Sequence, residues 1–262
     1  MDDLDPIDRA RKAITDRAEL PGMSLMEHLD ELRKRILNSL KFLFAGFIVG
    51  WIFHVRLFDF VLKPLNDINQ TLNFTHPTDV INLYIKTALF GGAILASPFI
   101  LYQVWLFISP GMYQNEKKYV WPFMTITILL FLAGAWFGRF ILPGTLKVLI
   151  IDFGKGFHPI ITIDEYLGFF FAIVLGLGIC FELPVVIFFL ALFGIVDAKF
   201  LLRQFRYAVL AIFIVAAIIC PDPSPITMCF FASPMLALYF LGVAVAYYVH
   251  PDHRKAKENV AA

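Results

Sequence analysis

Four glutamates hold the chemistry that this sequence offers: Glu27, Glu31, Glu116 and Glu182. Glu27 and Glu31 stand one helical turn apart in Ser24-Leu25-Met26-Glu27-His28-Leu29-Asp30-Glu31-Leu32-Arg33-Lys34-Arg35, a spacing at which like charges repel slightly and concentrate negative potential. Glu116 lies amid Lys117 and Lys118, and taken alone it would pair with them. Brought to the same side of a membrane as Glu27 and Glu31, it becomes one wall of an acidic site for a cationic ligand. Arginine suits such a site better than lysine, because its fork meets carboxylates two bonds at a time. Glu182, in Gly178-Ile179-Cys180-Phe181-Glu182-Leu183-Pro184, is the one acid deep within a long apolar run. A charge there is costly and is expected to face the bundle interior or a wet cavity as a functional acid. The plainer alternative is a hydrogen bond to backbone freed by Pro184.

Catalytic signatures are missing. The chain has no HExxH, no GxSxG, no Gly-rich phosphate loop and no paired intramembrane aspartates, so neither an enzyme nor a bound cofactor is expected. His250 and His253 lack a third ligand, and no metal site is expected. Cys180, Cys220 and Cys229 show no CxxC pairing and read as buried small hydrophobes. A formal net charge of +1 does not point to nucleic acid.

The elements that position these acids follow from composition. Of 262 residues, 59% are hydrophobic and 16% charged, with 29 Phe. That is more apolar side chain than a soluble domain of this size can hide, so part of the surface must face lipid. Residues 1–22 read as a disordered tail, 23–249 as the membrane domain and 250–262 as a second polar tail, with no cleavable signal peptide. Six apolar segments lie at about 36–55, 82–108, 120–142, 166–195, 207–220 and 226–249. A spanning helix needs roughly 20 residues. The expected fold is an all-α integral membrane protein of six transmembrane helices, the fifth and sixth short. With an inside N-terminus and six crossings, 16 of the 22 Lys and Arg fall on the inner side and 6 on the outer, so both termini are expected in the cytoplasm.

Within this frame Ser24 and Glu27 form a capping box, and Leu25, Leu29, Leu32 and Ile36 share one stripe. Both features predict an interfacial helix running into the first span. The outer loop at 56–81 is long enough for a short surface helix, and Asp164-Glu165 suit the start of the fourth segment. Pro98 and Pro184 are expected to kink or break their helices. Lys86 and Arg139, near segment ends, are expected to snorkel. Gly134 and Gly138 fit a close helix contact.

The stretch Met26-Glu27-His28-Leu29-Asp30-Glu31-Leu32-Arg33-Lys34-Arg35 resembles the N-terminal motif of the TatC family, the receptor subunit of the twin-arginine protein translocase. Lys63-Pro64-Leu65, Ser97-Pro98-Phe99-Ile100-Leu101-Tyr102-Gln103-Val104-Trp105, Glu116-Lys117-Lys118 and Phe181-Glu182-Leu183-Pro184 follow in the family's order. Pro221-Asp222-Pro223 resembles its turn between the last two helices. The resemblance implies a concave, partly open bundle in the bacterial cytoplasmic membrane. Such a protein binds Arg-Arg signal peptides of folded cargo, works with TatA- and TatB-type single-span partners, forms homo-oligomers within the receptor complex, and draws on the proton-motive force. It implies signal-peptide contacts at Glu31 and Glu116, with Arg33 in the same patch, and at the aromatic Phe107. Glu27 is drawn in by its place one turn before Glu31. Pro64, Pro98 and Asp222 would be structural and Glu182 the intramembrane acid. The family's sixth-helix acid is missing from Pro234-Met235-Leu236-Ala237-Leu238-Tyr239-Phe240. A small-solute transporter and a passive scaffold are the competing readings. The absence of repeat symmetry speaks against the transporter.

Overall fold

The computed structural model describes residues 25–108, 120–192, 194–219 and 225–249. Both tails, Ser24, Glu116 and Asp222 therefore lie outside the described residues. Among those described, helix dominates and there is no strand, only an isolated parallel bridge between Asn73 and Thr162.

The first helix, α1 (Leu25–Ile52), has 28 residues, about 42 Å at the helical rise. It is one continuous rod, so the expected interfacial helix is the first span's own beginning. Its apolar stripe faces away from the protein, as an interfacial helix requires. Leu29 and Ile36 are exposed, whereas Glu31 and Arg35 are partly covered by protein. The reason is that in a lipid-facing helix the apolar stripe turns outward and the polar face seeks protein partners.

After Phe53 the chain turns into α2 (His54–Asn66), the surface helix expected in the first outer loop. The His54 Nδ1–H donates to the Trp51 carbonyl at 2.7 Å and ties the corner. Val61, Pro64 and Leu65 form the buried face of α2.

Helix α3 (Asp79–Ile108) returns antiparallel to α1. The two backbones meet at glycines. A Cβ on Gly92 would lie 2.6 Å from the Phe47 nitrogen, and one on Gly46 or Gly50 would strike the carbonyls of Gly92 and Ala88. Ring contacts flank the crossing, Phe42 on Phe99 with centroids 5.0 Å apart and His54 against Tyr84 at 5.2 Å. Each turn forward along α1 is thus matched by a turn back along α3.

Helix α4 (Val120–Leu146) ends in a π-helical turn, Lys147–Asp152. Gly134 and Gly138 press against the backbone of α5 (Ile163–Cys180), as their spacing predicts: added Cβ atoms would come within 2.7 Å of the Leu177 carbonyl and 3.0 Å of that of Ile173. Thr162 caps α5, taking the Glu165 amide at 3.4 Å while its hydroxyl donates to the Glu165 carboxylate at 2.9 Å. Next come α6 (Leu183–Leu192), the short α7 (Ala198–Arg203), α8 (Phe205–Ile219) and α9 (Pro225–Val249). Helix α8 has 15 residues, about 22 Å, and falls short of a hydrocarbon core of about 30 Å. The sixth apolar segment is not short as expected: α9 has 25 residues, because Pro225 begins it where the missing N–H does no harm and Pro234 fails to end it. Among the described residues, five helical stretches are long and apolar enough to cross a membrane, with α8 as a shorter sixth.

The prolines show why some helices survive. Pro98 leaves the Ile94 carbonyl without its N–H partner, and the Ser97 hydroxyl donates to that oxygen at 2.8 Å. Pro234 leaves Phe230, and Ser233 donates to it at 3.2 Å. Of the kink or break expected at Pro98, no break occurs: the helix runs on through it. Pro184 follows Leu183, which has no hydroxyl, and the chain breaks just before it at Phe181-Glu182. Two more expectations are corrected. Cys229 is exposed rather than buried. Lys86 is held by Asp164 at 2.7 Å, and Arg139 lies half-buried with its guanidinium 5.1 Å from the Phe60 ring centre, so neither simply snorkels.

Ser97→Ala is expected to cost about 1–3 kcal/mol by stranding the buried Ile94 carbonyl, read as a lower thermal midpoint in detergent. Ser233→Ala, at an exposed position, is expected to cost less. Gly92→Val forces the α1–α3 backbones apart and is expected to cost about 1–3 kcal/mol or more in the same assay, whereas Gly144→Ala, with open space around it, is expected to hold or raise the midpoint.

Candidate functional site

The α1–α3 crossing carries its register toward the start of α1, where it meets the last two turns of α3. His28 stacks on Phe107 with centroids 4.4 Å apart and planes 21° from parallel. One turn on, Glu31 Oε1 takes a 3.0 Å bond from Arg35, whose other terminal nitrogen donates to Gln103 Oε1 at 3.4 Å. Three residues of α1 spaced three and four apart thus share one face, and α3 covers that face.

The pair is only partly saturated. The Glu31 side chain is 14% exposed and that of Arg35 22%. The second carboxylate oxygen of Glu31 and the Nε of Arg35 are enclosed without a hydrogen-bond partner. An i,i+4 pair with this access to solvent contributes about 0.3–1 kcal/mol, little enough for a better cation to displace. A buried carboxylate oxygen with no donor is an acceptor in waiting, since leaving it unmet costs roughly 1–3 kcal/mol. An arrangement of this kind suits a cation. It has no nucleophile, and among the described residues no group of three or more His, Cys, Asp or Glu could hold a metal.

The expected site residues fall in different places. Glu27 is exposed one turn before Glu31. Arg33 is exposed two residues past Glu31, which on a helix turns it about 160° away, so it is not brought to the Glu31–Arg35–Gln103 cluster. Phe107 belongs to the last turn of α3 rather than to a loop, and it supports the helix that carries Glu31. Glu116 and Asp222 lie outside the described residues. Pro64 is buried in α2 and Pro98 is half-buried in α3.

Glu182 stands apart, at the break between α5 and α6. Its backbone is satisfied, the amide donating to Ile179 and the carbonyl accepting from Val185 and Val186, all at 3.0 Å. Its enclosed Oε1 has no partner. That oxygen therefore does not serve as a local backbone cap.

His28, Arg35 and Gln103 were missed as site residues. The i,i+4 pairing of Glu31 with Arg35 was legible. Gln103, a lone amide in an otherwise apolar stretch, was the signal for a partner across the helix pair.

A family model described as Sec-independent protein translocase protein (TatC) matches residues 27–234. The Sec-independent protein translocase protein TatC of Koribacter versatilis is 46% identical over 262 residues, covering 98% of this chain and 96% of its own. That of Carboxydothermus hydrogenoformans is 34% identical over 230 residues, covering 87% and 95%. A crystal structure of the twin arginine translocase receptor TatC superposes with a TM-score of 0.74 at 34% identity, covering 84% of this chain and 98% of that one. A second, determined in the detergent DDM, gives 0.75 over 84% and 99%.

Phe107→Ala removes the ring on which His28 rests. Loss of an aromatic pair of about 0.5–1.5 kcal/mol predicts hydrogen exchange at Leu29–Arg35 about two- to tenfold faster, read by mass spectrometry, with α5 unchanged.

Proposed function

The chain belongs to the TatC family, and on that premise we propose that its cytoplasmic face receives the paired arginines of signal peptides on folded cargo. It is a multi-pass membrane protein and a protein translocase component of the Sec-independent type. The observation that carries the proposal is Glu31, held on a rigid helix by a weak internal arginine with one carboxylate oxygen left unmet. An incoming arginine takes the place of Arg35 on Glu31, and its neighbour is met by Glu116. Glu27 adds negative potential one turn away, which speeds encounter more than it adds affinity. Arg33, pointing away from the cluster, contacts the peptide or lipid phosphates elsewhere on the same patch. Phe107 keeps the start of α1 in place.

In this reading both termini are cytoplasmic and the protein sits in the bacterial inner membrane. It assembles with further copies of itself and with TatA- and TatB-type single-span partners. The proton-motive force drives transport, and the protein binds and translocates without catalysing a reaction or using a cofactor. Glu182 is an intramembrane acid for a polar partner, which its unmet oxygen and its place at a helix break support. Pro64 and Pro98 shape the outer helix and α3, and Asp222 the last turn. The alternative small-solute transporter has no specific observation in its favour.

The test is photocrosslinking of an Arg-Arg peptide to the membrane-embedded protein. Each charge-assisted bond is worth roughly 1.5–3 kcal/mol before screening, so Glu31→Gln is expected to weaken binding about tenfold and the Glu31→Gln, Glu116→Gln pair to abolish crosslinking. A Lys-Lys peptide is expected to bind weakly to the unaltered protein. Undiminished crosslinking in the double variant, with the protein still folded in the membrane, would sink the assignment.

A further inference from the structure

At the opposite end of the bundle from Glu31, a groove of about 640 Å³ runs between α1, α2, α3 and α4. Its walls are almost wholly apolar, with Val49, Leu57, Ile94, Leu95 and Leu132 among them. Two cations line it as well, Arg56 and Arg139. Each is pinned near an aromatic face, Arg56 with its guanidinium 5.8 Å from the Phe53 ring centre and Arg139 at 5.1 Å from that of Phe60.

Both arginines lie toward the same end of the bundle. Arg139 lies 19 residues beyond Val120, about 28 Å along α4, and Arg56 follows the apolar run of α1. Leu132 precedes Arg139 by seven residues on α4, about 10 Å deeper, and Val49 lies in the last turn of α1, before the corner at Phe53. The groove is therefore charged at the outer membrane surface and apolar toward the bilayer centre. Among the described residues neither arginine forms an ion pair, although Asp59 and Asp67 belong to the neighbouring α2 region. The Nε of Arg139 is enclosed and unpartnered. Trp136, 70% exposed at the rim, marks the side open to lipid.

We propose that this groove is a binding site for one outer-leaflet phospholipid, its phosphate held between Arg56 and Arg139 and one acyl chain lying along Leu57, Ile94 and Leu132. A phosphate meets the planar guanidinium in the geometry that this side chain favours. The acyl chain covers apolar wall that no protein segment covers. The inference takes its outer-leaflet side from the reading that both termini are cytoplasmic and is otherwise independent of signal-peptide recognition, which concerns the other end of the molecule.

A phosphatidylglycerol with a diazirine in its acyl chain, irradiated with the full-length protein in nanodiscs, tests this. The expected labels fall on the Val49–Phe60 and Leu132–Arg139 stretches. An Arg56→Gln, Arg139→Gln variant is expected to lose them about tenfold or more, and an Arg→Lys pair to lose them less. If removing Arg139 prevents folding, Arg56→Gln alone, at an exposed position, is read instead. A diazirine diacylglycerol, which lacks the phosphate, is expected to label weakly. Equal labelling by the two lipids, or unchanged labelling in the variants, would overturn the proposal. So would stoichiometric displacement of the lipid by a hydrophobic signal peptide, which would make the groove a peptide site.

Discussion

The contact between Gly46 and Gly50 of α1 and Gly92 of α3 governs the rest of the molecule. Water exclusion does not drive helices together inside lipid, so association rests on close packing, and only glycine lets two backbones approach so nearly. Once that approach is made, the register is set for the whole length of both rods. It places Tyr84 at His54 on one end, and at the other Gln103 at Arg35 and Phe107 at His28. The candidate binding site is a distant consequence of a glycine contact in the middle of the bundle.

The end opposite Glu31 is held by a different means. Tyr166 donates to the Val61 carbonyl at 2.5 Å, Lys86 meets Asp164 at 2.7 Å, and the Asn73–Thr162 bridge links the two outer loops. Directional polar bonds can be used here because this end lies at the membrane surface. In the middle the same role falls to glycines and to stacked rings such as Phe90 on Phe171, with centroids 4.6 Å apart. Between the two regimes, two prolines have hydroxyls beside them that take up the freed carbonyls. Ser97 and Ser233 satisfy the carbonyls freed in α3 and α9, whereas Pro143 and Pro64 are carried without such a neighbour, and the break where Glu182 sits falls just before Pro184.

Much of the site was legible because its logic is local. The Glu31–Arg35 pairing follows from helical spacing alone, and Glu182 announces itself as a charge in an apolar run. What spacing alone left open was which face of the first helix would meet protein. Leu29, Leu32 and Ile36 form the stripe that in a soluble protein would face the core. In a membrane the core and the solvent are both apolar, so the stripe does not say which way to turn.

The sequence by itself determined the class of protein, the number and approximate bounds of its apolar segments, and the acids able to receive a cation, because these depend on composition and short-range periodicity. It was also enough for the resemblance to the TatC family, carried by five motifs in order. Only the tertiary structure decided that α1 is a single rod with its polar face inward, that Gln103 and Phe107 complete the surroundings of Glu31, and that Arg33 turns away from them. It alone decided that Arg56 and Arg139, far apart in the chain, line one groove. These are matters of which backbones come close enough to touch, and in lipid that is settled by packing between segments distant in sequence.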